Sequence, residues 1–268
     1  MHQKRTPFLL LLLLLSIILS SCSLPGLSIG TDNSGNQANG QILNKWLPSS
    51  SGIEVRYERW KGAGNNEDLI TIVRMKPQSI KLSVAYQPTE PLTVKEWMQK
   101  TGARAIINGG YFDAQNRPTA LLVSNGQPFG NSYEGFGGML SVDAQGTIGL
   151  RSLNQQPYDP SSESVQQATQ SAPMLVIDGK RAEFNANADV QRRTVVALDK
   201  EGNLLFIVSS MLAFTLDEMA DLLVASDLSI QTALNLDGGS STGLYVHGEQ
   251  QKVEIDANVA LPIVIVVK

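Results

Sequence analysis

Apolar and polar residues alternate in strand-length segments over most of the chain after residue 52. Residues 53–60, 69–74 and 80–85 each place apolar side chains on one face, as a half-buried strand does. Further apolar runs are separated by short turn sequences such as Asn125-Gly126, which favour β-hairpins. The many hairpin signals predict a single α+β domain with mixed or mainly antiparallel sheets and a few helices. The polar stretch 154–170 predicts a surface loop.

Two segments carry the start signal of a helix. Thr93 and Glu96 have the spacing of a capping box, in which the threonine accepts from a first-turn amide and the glutamate reaches back. Thr215 and Glu218 repeat this spacing before a second apolar stripe. Each helix is followed by an apolar run of strand length, so helix and strand alternate twice in the same order.

Each of these apolar runs ends in a pair of glycines. Aligning Gly109-Gly110 with Gly238-Gly239 places Asn108 opposite Asp237. The repeated order predicts an internal pseudo-repeat whose two glycine turns face one cleft. The alternative is coincidence, because a helix followed by a strand is common in mixed folds.

The segment 235–242 has the densest set of polar groups in the chain. On a strand, Asn235 and Asp237 share one face while Leu236 points the opposite way into a core. Glycine permits close approach of a ligand to the main chain, and hydroxyl side chains add donors. These observations predict a binding or catalytic site, although a polar turn between two strands would have a similar sequence. The further candidates in this segment are Gly238, Gly239, Ser240, Ser241 and Thr242.

The first residues have the pattern of a secretory signal. Two basic residues precede an apolar run at 8–19, which is too short to cross a membrane as a helix. The sequence before Cys22 resembles a bacterial lipobox, which implies removal of residues 1–21 and acylation of Cys22. Plain secretion with a spare thiol is the alternative. Residues 22–52 are rich in Ser, Gly, Asn and Pro and predict a flexible tether, followed by the folded domain at 53–268.

Composition limits the chemistry that this chain can perform. Of its 268 residues 42% are apolar and 17% are charged, which is ordinary for a globular protein. The single cysteine excludes an internal disulfide, and only two histidines are present, so a Ser-His-Asp triad is disfavoured. Acid–base chemistry therefore falls to carboxylates, tyrosine or lysine. The formal net charge of −4 argues against a nucleic acid partner, and no cofactor or metal is predicted.

Five sequence blocks in the same order resemble the phosphodiester glycosidase family, namely residues 107–113, 170–180, 193–194, 215–218 and 233–242. That family includes the lysosomal uncovering enzyme, which removes N-acetylglucosamine from a sugar phosphodiester, and many bacterial envelope proteins. The resemblance implies hydrolysis of an N-acetylglucosaminyl or related glycosyl phosphodiester in envelope or extracellular glycopolymers. Two departures from the family pattern are a turn after Asp237 that is one glycine shorter and an alanine at position 172.

A mechanism for this reaction assigns roles to particular residues. Asp237 would activate water or stabilise the oxocarbenium-like charge, and Asp113 or Glu218 would supply a second carboxylate. Arg193 precedes a strand and would hold the phosphate, although the alternative is that it is simply solvated. Asn108 would orient the substrate. The remaining predicted binding residues outside the segment 235–242 are Gly109, Gly110, Tyr111, Phe112, Ser171 and Thr194.

Two other functions are compatible with the same residues. A non-catalytic lipoprotein could hold envelope polysaccharide with these hydroxyls and amides, and a divalent-metal phosphodiesterase could use Asp113 and Asp237. In the preferred interpretation the partners are a phosphate-linked sugar or envelope polysaccharide and the membrane, reached through the lipid at Cys22. The protein would then lie in the bacterial cell envelope, facing the periplasm or the exterior.

Overall fold

The computed structural model describes residues 37–38, 41–185 and 188–268, and most of the regular secondary structure in this part of the chain is β-strand. Its two α-helices are α1 (Val94–Thr101) and α2 (Leu216–Ala225). The strands, in chain order, are β1 (Gln37–Ala38), β2 (Gln41–Ile42), β3 (Leu47–Ser50), β4 (Ile53–Lys61), β5 (Glu67–Met75), β6 (Leu82–Tyr86), β7 (Ala105–Asn108), β8 (Leu122–Ser124), β9 (Gln127–Phe129), β10 (Gly138–Asp143), β11 (Ile148–Ser152), β12 (Val165–Ser171), β13 (Met174–Ile177), β14 (Lys180–Arg181), β15 (Gln191–Asp199), β16 (Leu204–Phe214), β17 (Ile230–Asn235), β18 (Leu244–Val246), β19 (Val253–Ile255) and β20 (Ile263–Val267).

The strands form three large sheets and one two-stranded pair, β1-β2. The largest sheet has the order β14-β13-β17-β15-β16-β5-β4-β3, the second β19-β18-β7-β20-β6 and the third β11-β10-β12-β8-β9. Neighbouring strands in these sheets run antiparallel. The predicted α+β class with mainly antiparallel sheets is confirmed.

The central core lies between the sheets, and each helix covers an outer face. Along β15, Val196 points into the central core, whereas Val195 and Ala197 point to the cluster that contains the buried face of α2. In the second sheet Ile107 enters the central core, while Ile106 packs in the cluster of α1. Since successive side chains of a strand point to opposite faces, these strands are apolar on both sides.

Both predicted capping boxes are present. Thr93 Oγ1 accepts from the Glu96 amide at 3.2 Å, and Glu96 Oε2 accepts from the Thr93 amide at 2.8 Å. The corresponding bonds between Thr215 and Glu218 are 3.2 and 3.0 Å long. Gly102 ends α1 in the left-handed conformation at φ 62°, which glycine adopts without strain.

The N-terminal boundary of the folded region differs from the prediction. Residues 47–50, which the sequence assigned to a flexible tether, form β3 and pair with β4. Leu43 is buried in the central core. The tether prediction is therefore wrong from residue 41 onward, because a short edge strand satisfies its backbone groups here. The predicted signal at 1–21 and Cys22 lie outside the described residues, and no helix among those described could span a membrane.

The polar stretch 154–170 is also not a loop throughout. Its last residues form β12, the central strand of the third sheet, which pairs with β10 and β8. Gln167, Thr169 and Gln170 are buried there. The side chain of each accepts a hydrogen bond from a residue of another segment. These bonds offset the cost of burying polar groups, so a polar segment can form a buried strand.

Candidate active site

The two Gly-Gly turns meet where strands of the first two sheets end. Asn108 Nδ2 donates to the Asp237 carbonyl at 2.5 Å, and the Asp237 amide donates to the Gly109 carbonyl at 3.2 Å. β7 and β17 deliver these residues from different sheets. The structure therefore brings together the two segments that the sequence aligned as a pseudo-repeat.

The Asn108 side chain joins these segments from within the protein. It is only 1% exposed, and Thr194 Oγ1 donates to its Oδ1 at 3.0 Å while the Gly243 amide donates to the same oxygen at 3.1 Å. Thr194 Oγ1 also lies 3.1 Å from Thr242 Oγ1. Because donor and acceptor of Asn108 are both occupied, its predicted role in orienting substrate is replaced by one in positioning the turn before Asp237.

Gly109 and Gly110 are required for close packing. A Cβ at Gly109 would lie 2.4 Å from Ile263 Cγ2, and one at Gly110 would lie 2.4 Å from the Gln170 carbonyl. Their amides donate to the Ile263 carbonyl and to Thr169 Oγ1. These amides are therefore not free donors to a ligand. The Gly109 amide extends the pairing with β20 within the second sheet, and the Gly110 amide bonds to the third sheet.

Asp237 is the titratable group at this junction. Burial raises the pKa of its carboxyl from 3.8 to about 6, and hydrogen bonds from the Ser241 side chain and the Gly238 backbone partly oppose that shift. The residue is partly exposed, in contrast to Asn108. A carboxyl with this pKa can accept or release a proton near neutral pH, which suits general acid–base chemistry.

Tyr111 and Asn235 form a polar pair beside Asp237. Asn235 Nδ2 donates to the Tyr111 hydroxyl at 2.7 Å and to the Ala172 carbonyl at 3.0 Å, and Tyr111 Oη donates to the same carbonyl at 3.1 Å. Burial, followed by the negative charge of Asp237, raises the pKa of Tyr111 to about 12. The phenol is therefore neutral when Asp237 titrates. Asn235 Oδ1 is buried and has no partner among the described residues.

Arg193 is buried at the start of β15. Its Nε donates to the Phe214 carbonyl at 2.9 Å and its Nη2 donates to the Asp189 carbonyl at 2.5 Å. Burial lowers the pKa of the guanidinium, and the Tyr111 phenol lies within electrostatic range of it. A guanidinium carries five N–H donors, so these two contacts fix its orientation while three further donors remain on the group. The alternative of a solvated arginine is excluded by the burial.

The turn after Asp237 is a short 3-10 helix, Gly239–Ser241. A Cβ at Gly238 would lie 2.8 Å from the Arg192 carbonyl, and Gly239 has φ 57°, so both positions favour glycine. Ser240 is exposed, whereas Ser241 and Thr242 are buried. Among the residues of this turn that were predicted to bind a ligand, Ser240 is the one with an exposed hydroxyl.

The two candidates for a second carboxylate have other partners. Asp113 accepts from the backbone amides of Gln115 and Arg117 and pairs with the Arg117 guanidinium at 2.8 Å, and these bonds lower the pKa of its carboxyl. Glu218 caps α2 and accepts from the Ala63 amide. Neither shares a hydrogen-bond partner with Asp237 in the described structure. Their observed roles are to order a turn and to cap a helix.

Two other predicted binding residues, Phe112 and Ser171, have protein surroundings that account for them. Phe112 packs with Val84, Leu122 and Ile263 in a small apolar cluster, and Ser171 is fully buried with an unpartnered hydroxyl. The sequence missed the Ala172 carbonyl, the shared acceptor of Tyr111 and Asn235, because main-chain acceptors leave no residue-type signal. Within the described residues no group of three His, Cys, Asp or Glu side chains could hold a metal ion.

Comparison with known proteins identifies the family of this chain. Residues 101–268 match the family model described as phosphodiester glycosidase. The fold is similar to the zebrafish N-acetylglucosamine-1-phosphodiester alpha-N-acetylglucosaminidase catalytic domain auto-inhibited by its pro-peptide, with 17% identity over 85% of this chain and 89% of that one, TM-score 0.64. A hypothetical protein from Synechocystis is also similar, with 17% identity over 83% of this chain and 63% of that one, TM-score 0.59. No curated protein sequence matches. The family match covers more than half of the sequence, and this chain therefore belongs to the phosphodiester glycosidase family.

Proposed function

We propose that this protein is a hydrolase that cleaves glycosyl phosphodiesters of the N-acetylglucosaminyl type in envelope or extracellular glycopolymers. Membership of the family supports the reaction class, and the activity for which the zebrafish enzyme is named supports the type of sugar. The observation that carries the proposal is Asp237, a partly exposed carboxyl with a pKa of about 6 at the junction of the two Gly-Gly turns.

The proposed reaction breaks the bond between the anomeric carbon and the phosphate oxygen. Water adds to the anomeric carbon, the electron pair of the broken bond leaves with the phosphate monoester, and the proton of the water passes to Asp237. Phosphate is a good leaving group, so one carboxylate suffices where ordinary glycosidases need two. As the base, Asp237 acts in its ionised form, and the rate should fall as the pH drops below about 6.

The residues around Asp237 would position the substrate. Arg193 is held by two backbone carbonyls and would direct its other donors at the phosphate. Ser240 would contribute an exposed hydroxyl from the neighbouring turn. Tyr111 is fixed by Asn235 and stays neutral, so it would contribute hydrogen bonding and a ring face rather than charge.

The bond that is cleaved gives a direct test. The purified full-length chain is incubated with methyl α-N-acetylglucosaminyl phosphate diester in ¹⁸O-labelled water, with and without a chelator. We expect the released methyl phosphate to carry no ¹⁸O, because the labelled water adds to the anomeric carbon, and we expect the chelator to have no effect. Label in the phosphate together with chelator sensitivity would instead indicate a metal-dependent phosphodiesterase. Binding of the diester without any cleavage would favour the non-catalytic lipoprotein.

Membrane anchoring is a separate part of the proposal. The sequence around Cys22 supports cleavage of residues 1–21 and acylation of the thiol, which would place the domain at the surface of an envelope membrane. Cys22→Ser should release the protein from the membrane fraction of cells that express the full chain. If Cys22→Ser stays with the membranes to the same extent as the wild type, the anchor lies elsewhere.

A further inference from the structure

A groove of about 420 Å³ has one chain segment in common with the hydrogen-bonded residues around Asp237. The two places share one segment: Ala172 and Pro173 line the groove, and the Ala172 carbonyl accepts the hydrogen bonds of Tyr111 and Asn235. The loop 135–137, which also lines the groove, packs tightly on this segment, since a Cβ at Gly137 would lie 2.7 Å from the Ser171 carbonyl. A ligand in the groove would therefore lie next to the proposed catalytic group.

An exposed aromatic ring stands at the edge of this groove. Phe136 is 52% exposed, and its ring stacks on Tyr133 with centroids 4.4 Å apart and an interplanar angle of 28°. Tyr133 is held in turn, because its amide donates to Gln170 Oε1 at 2.8 Å on the central strand of the third sheet. A large apolar side chain that is both exposed and oriented by a second ring is a surface on which a sugar ring can stack.

The charges of the groove indicate what kind of ligand it takes. Its polar side chains include Asn154, Asn185 and Glu183, and none of the described residues that line it is a lysine or an arginine. The neighbouring Arg181 is directed elsewhere, over the Phe184 ring and towards Asp217 and Asp221. Amides and a carboxylate bind hydroxyl groups, whereas a phosphate would need a cation.

We propose that this groove is a subsite for a neutral oligosaccharide, in which one sugar ring stacks on Phe136 and its hydroxyls bind the amides of Asn154 and Asn185. The inference deepens the proposed function, on which it rests: the substrate is a glycopolymer or a long oligosaccharide rather than a small diester. In this arrangement the phosphate binds near Asp237 and Arg193, and the additional sugar units extend into the groove.

Binding of an uncharged glycan tests the subsite without relying on hydrolysis. The probe is the tetrasaccharide of N-acetylglucosamine, titrated calorimetrically into the full-length chain, and it contains no phosphodiester to cleave. Phe136→Ala should weaken the binding about tenfold, as the loss of one aromatic contact does. Phe129→Ala is the matched control, because Phe129 is 38% exposed and packs on Tyr86 outside the groove lining. It should leave the binding unchanged.

A kinetic comparison separates failure of the subsite from failure of the proposed reaction. Wild-type kcat/KM should be higher for a glycosyl phosphodiester carrying the tetrasaccharide than for the methyl diester, and in Phe136→Ala the ratio should approach one. Equal binding by all three proteins, or equal losses in Phe136→Ala and Phe129→Ala, overturns the subsite. Groove binding that depends on Phe136, without any cleavage, upholds the subsite and removes the proposed hydrolysis.

Discussion

Residues 108–110 and 237–239 each place a polar side chain before two glycines near the end of a strand, and hydrogen bonds join the two turns. Their surroundings differ. The first turn is buried throughout, and the second is partly open to solvent. The polar atoms of the Asn108 side chain are occupied by protein partners, whereas burial raises the pKa of Asp237.

This difference indicates that the first turn has a structural role and the second a chemical one. A neutral amide can be buried at low cost when its donor and acceptor are both satisfied, so Asn108 suits an interior position. Burying a carboxyl disfavours its charged form and raises its pKa. A pKa closer to neutral pH lets the group accept and release a proton during a reaction. The same sequence order therefore supplies one turn for stability and one for reactivity. Substitution of Asn108 should lower stability, whereas substitution of Asp237 should lower turnover.

The largest expected effect is on turnover. Asp237→Asn preserves the shape of the side chain and removes its ability to accept a proton, so kcat on the methyl diester should fall about 10²-fold or more. The variant should remain folded. Asp113→Asn is the control, because Asp113 orders an exposed turn with Arg117 and should change kcat by less than about twofold. Activity retained in Asp237→Asn would remove this carboxyl from the mechanism.

The corresponding change in the buried turn should act on stability. Asn108→Ala removes the acceptor of Thr194 and Gly243 and the donor to the Asp237 carbonyl. Leaving these buried groups without partners should lower the free energy of unfolding by about 3 kcal/mol, measured by urea denaturation. A variant as stable as the wild type but inactive would show that Asn108 contacts the substrate after all.

The raised pKa of Asp237 predicts a smaller effect that depends on pH. The folded protein binds this proton more tightly than the unfolded chain does. The proton therefore contributes to the free energy of unfolding fully below the unfolded pKa, and this contribution is lost as the pH rises through about 6. Asp237→Asn does not undergo this loss. The free energy of unfolding of the variant, relative to that of the wild type, should therefore rise by about 2 kcal/mol between pH 4 and pH 8. Parallel stability curves over this range would contradict the raised pKa.

Local patterns were predictable from the sequence because their partners are near in the chain. The capping boxes of α1 and α2 need only residues three positions apart, and both were found as predicted. The hairpin at Asn125-Gly126 likewise depends on two residues that adopt positive φ, and the strands on both sides of it formed. The family resemblance also came from short blocks, and all five of them lie within the family match at residues 101–268.

The role of a polar residue depended on partners that are distant in the chain. Asn108 was predicted to bind substrate, but Thr194 and Gly243, 86 and 135 positions away, occupy its oxygen. β12 was assigned to a loop because its residues are polar, and their hydrogen-bond partners lie in other segments. Sequence periodicity reports which residues are apolar, and it does not report which polar residues will be satisfied by the fold.

The smallest predicted effect concerns Glu218, which the sequence proposed as a second carboxylate. Its Oε2 accepts from the Thr215 amide at 3.0 Å and its Oε1 from the Ala63 amide at 3.2 Å, and the backbone bond to Thr215 is the main cause that lowers its pKa. Glu218→Gln keeps an acceptor but removes the negative charge at the N-terminus of α2, which should lower the free energy of unfolding by about 1 kcal/mol. Turnover should stay within about twofold of the wild type.

Glu96→Gln is the matched control in α1. Glu96 caps its helix in the same way but bonds only to Thr93 among the described residues, so its loss of stability should be smaller than that of Glu218→Gln. Both losses are measured by urea denaturation, and both turnovers on the methyl diester. A drop in kcat of tenfold or more in Glu218→Gln, at unchanged stability, would return Glu218 to the active site and would require α2 to move towards Asp237 during the reaction.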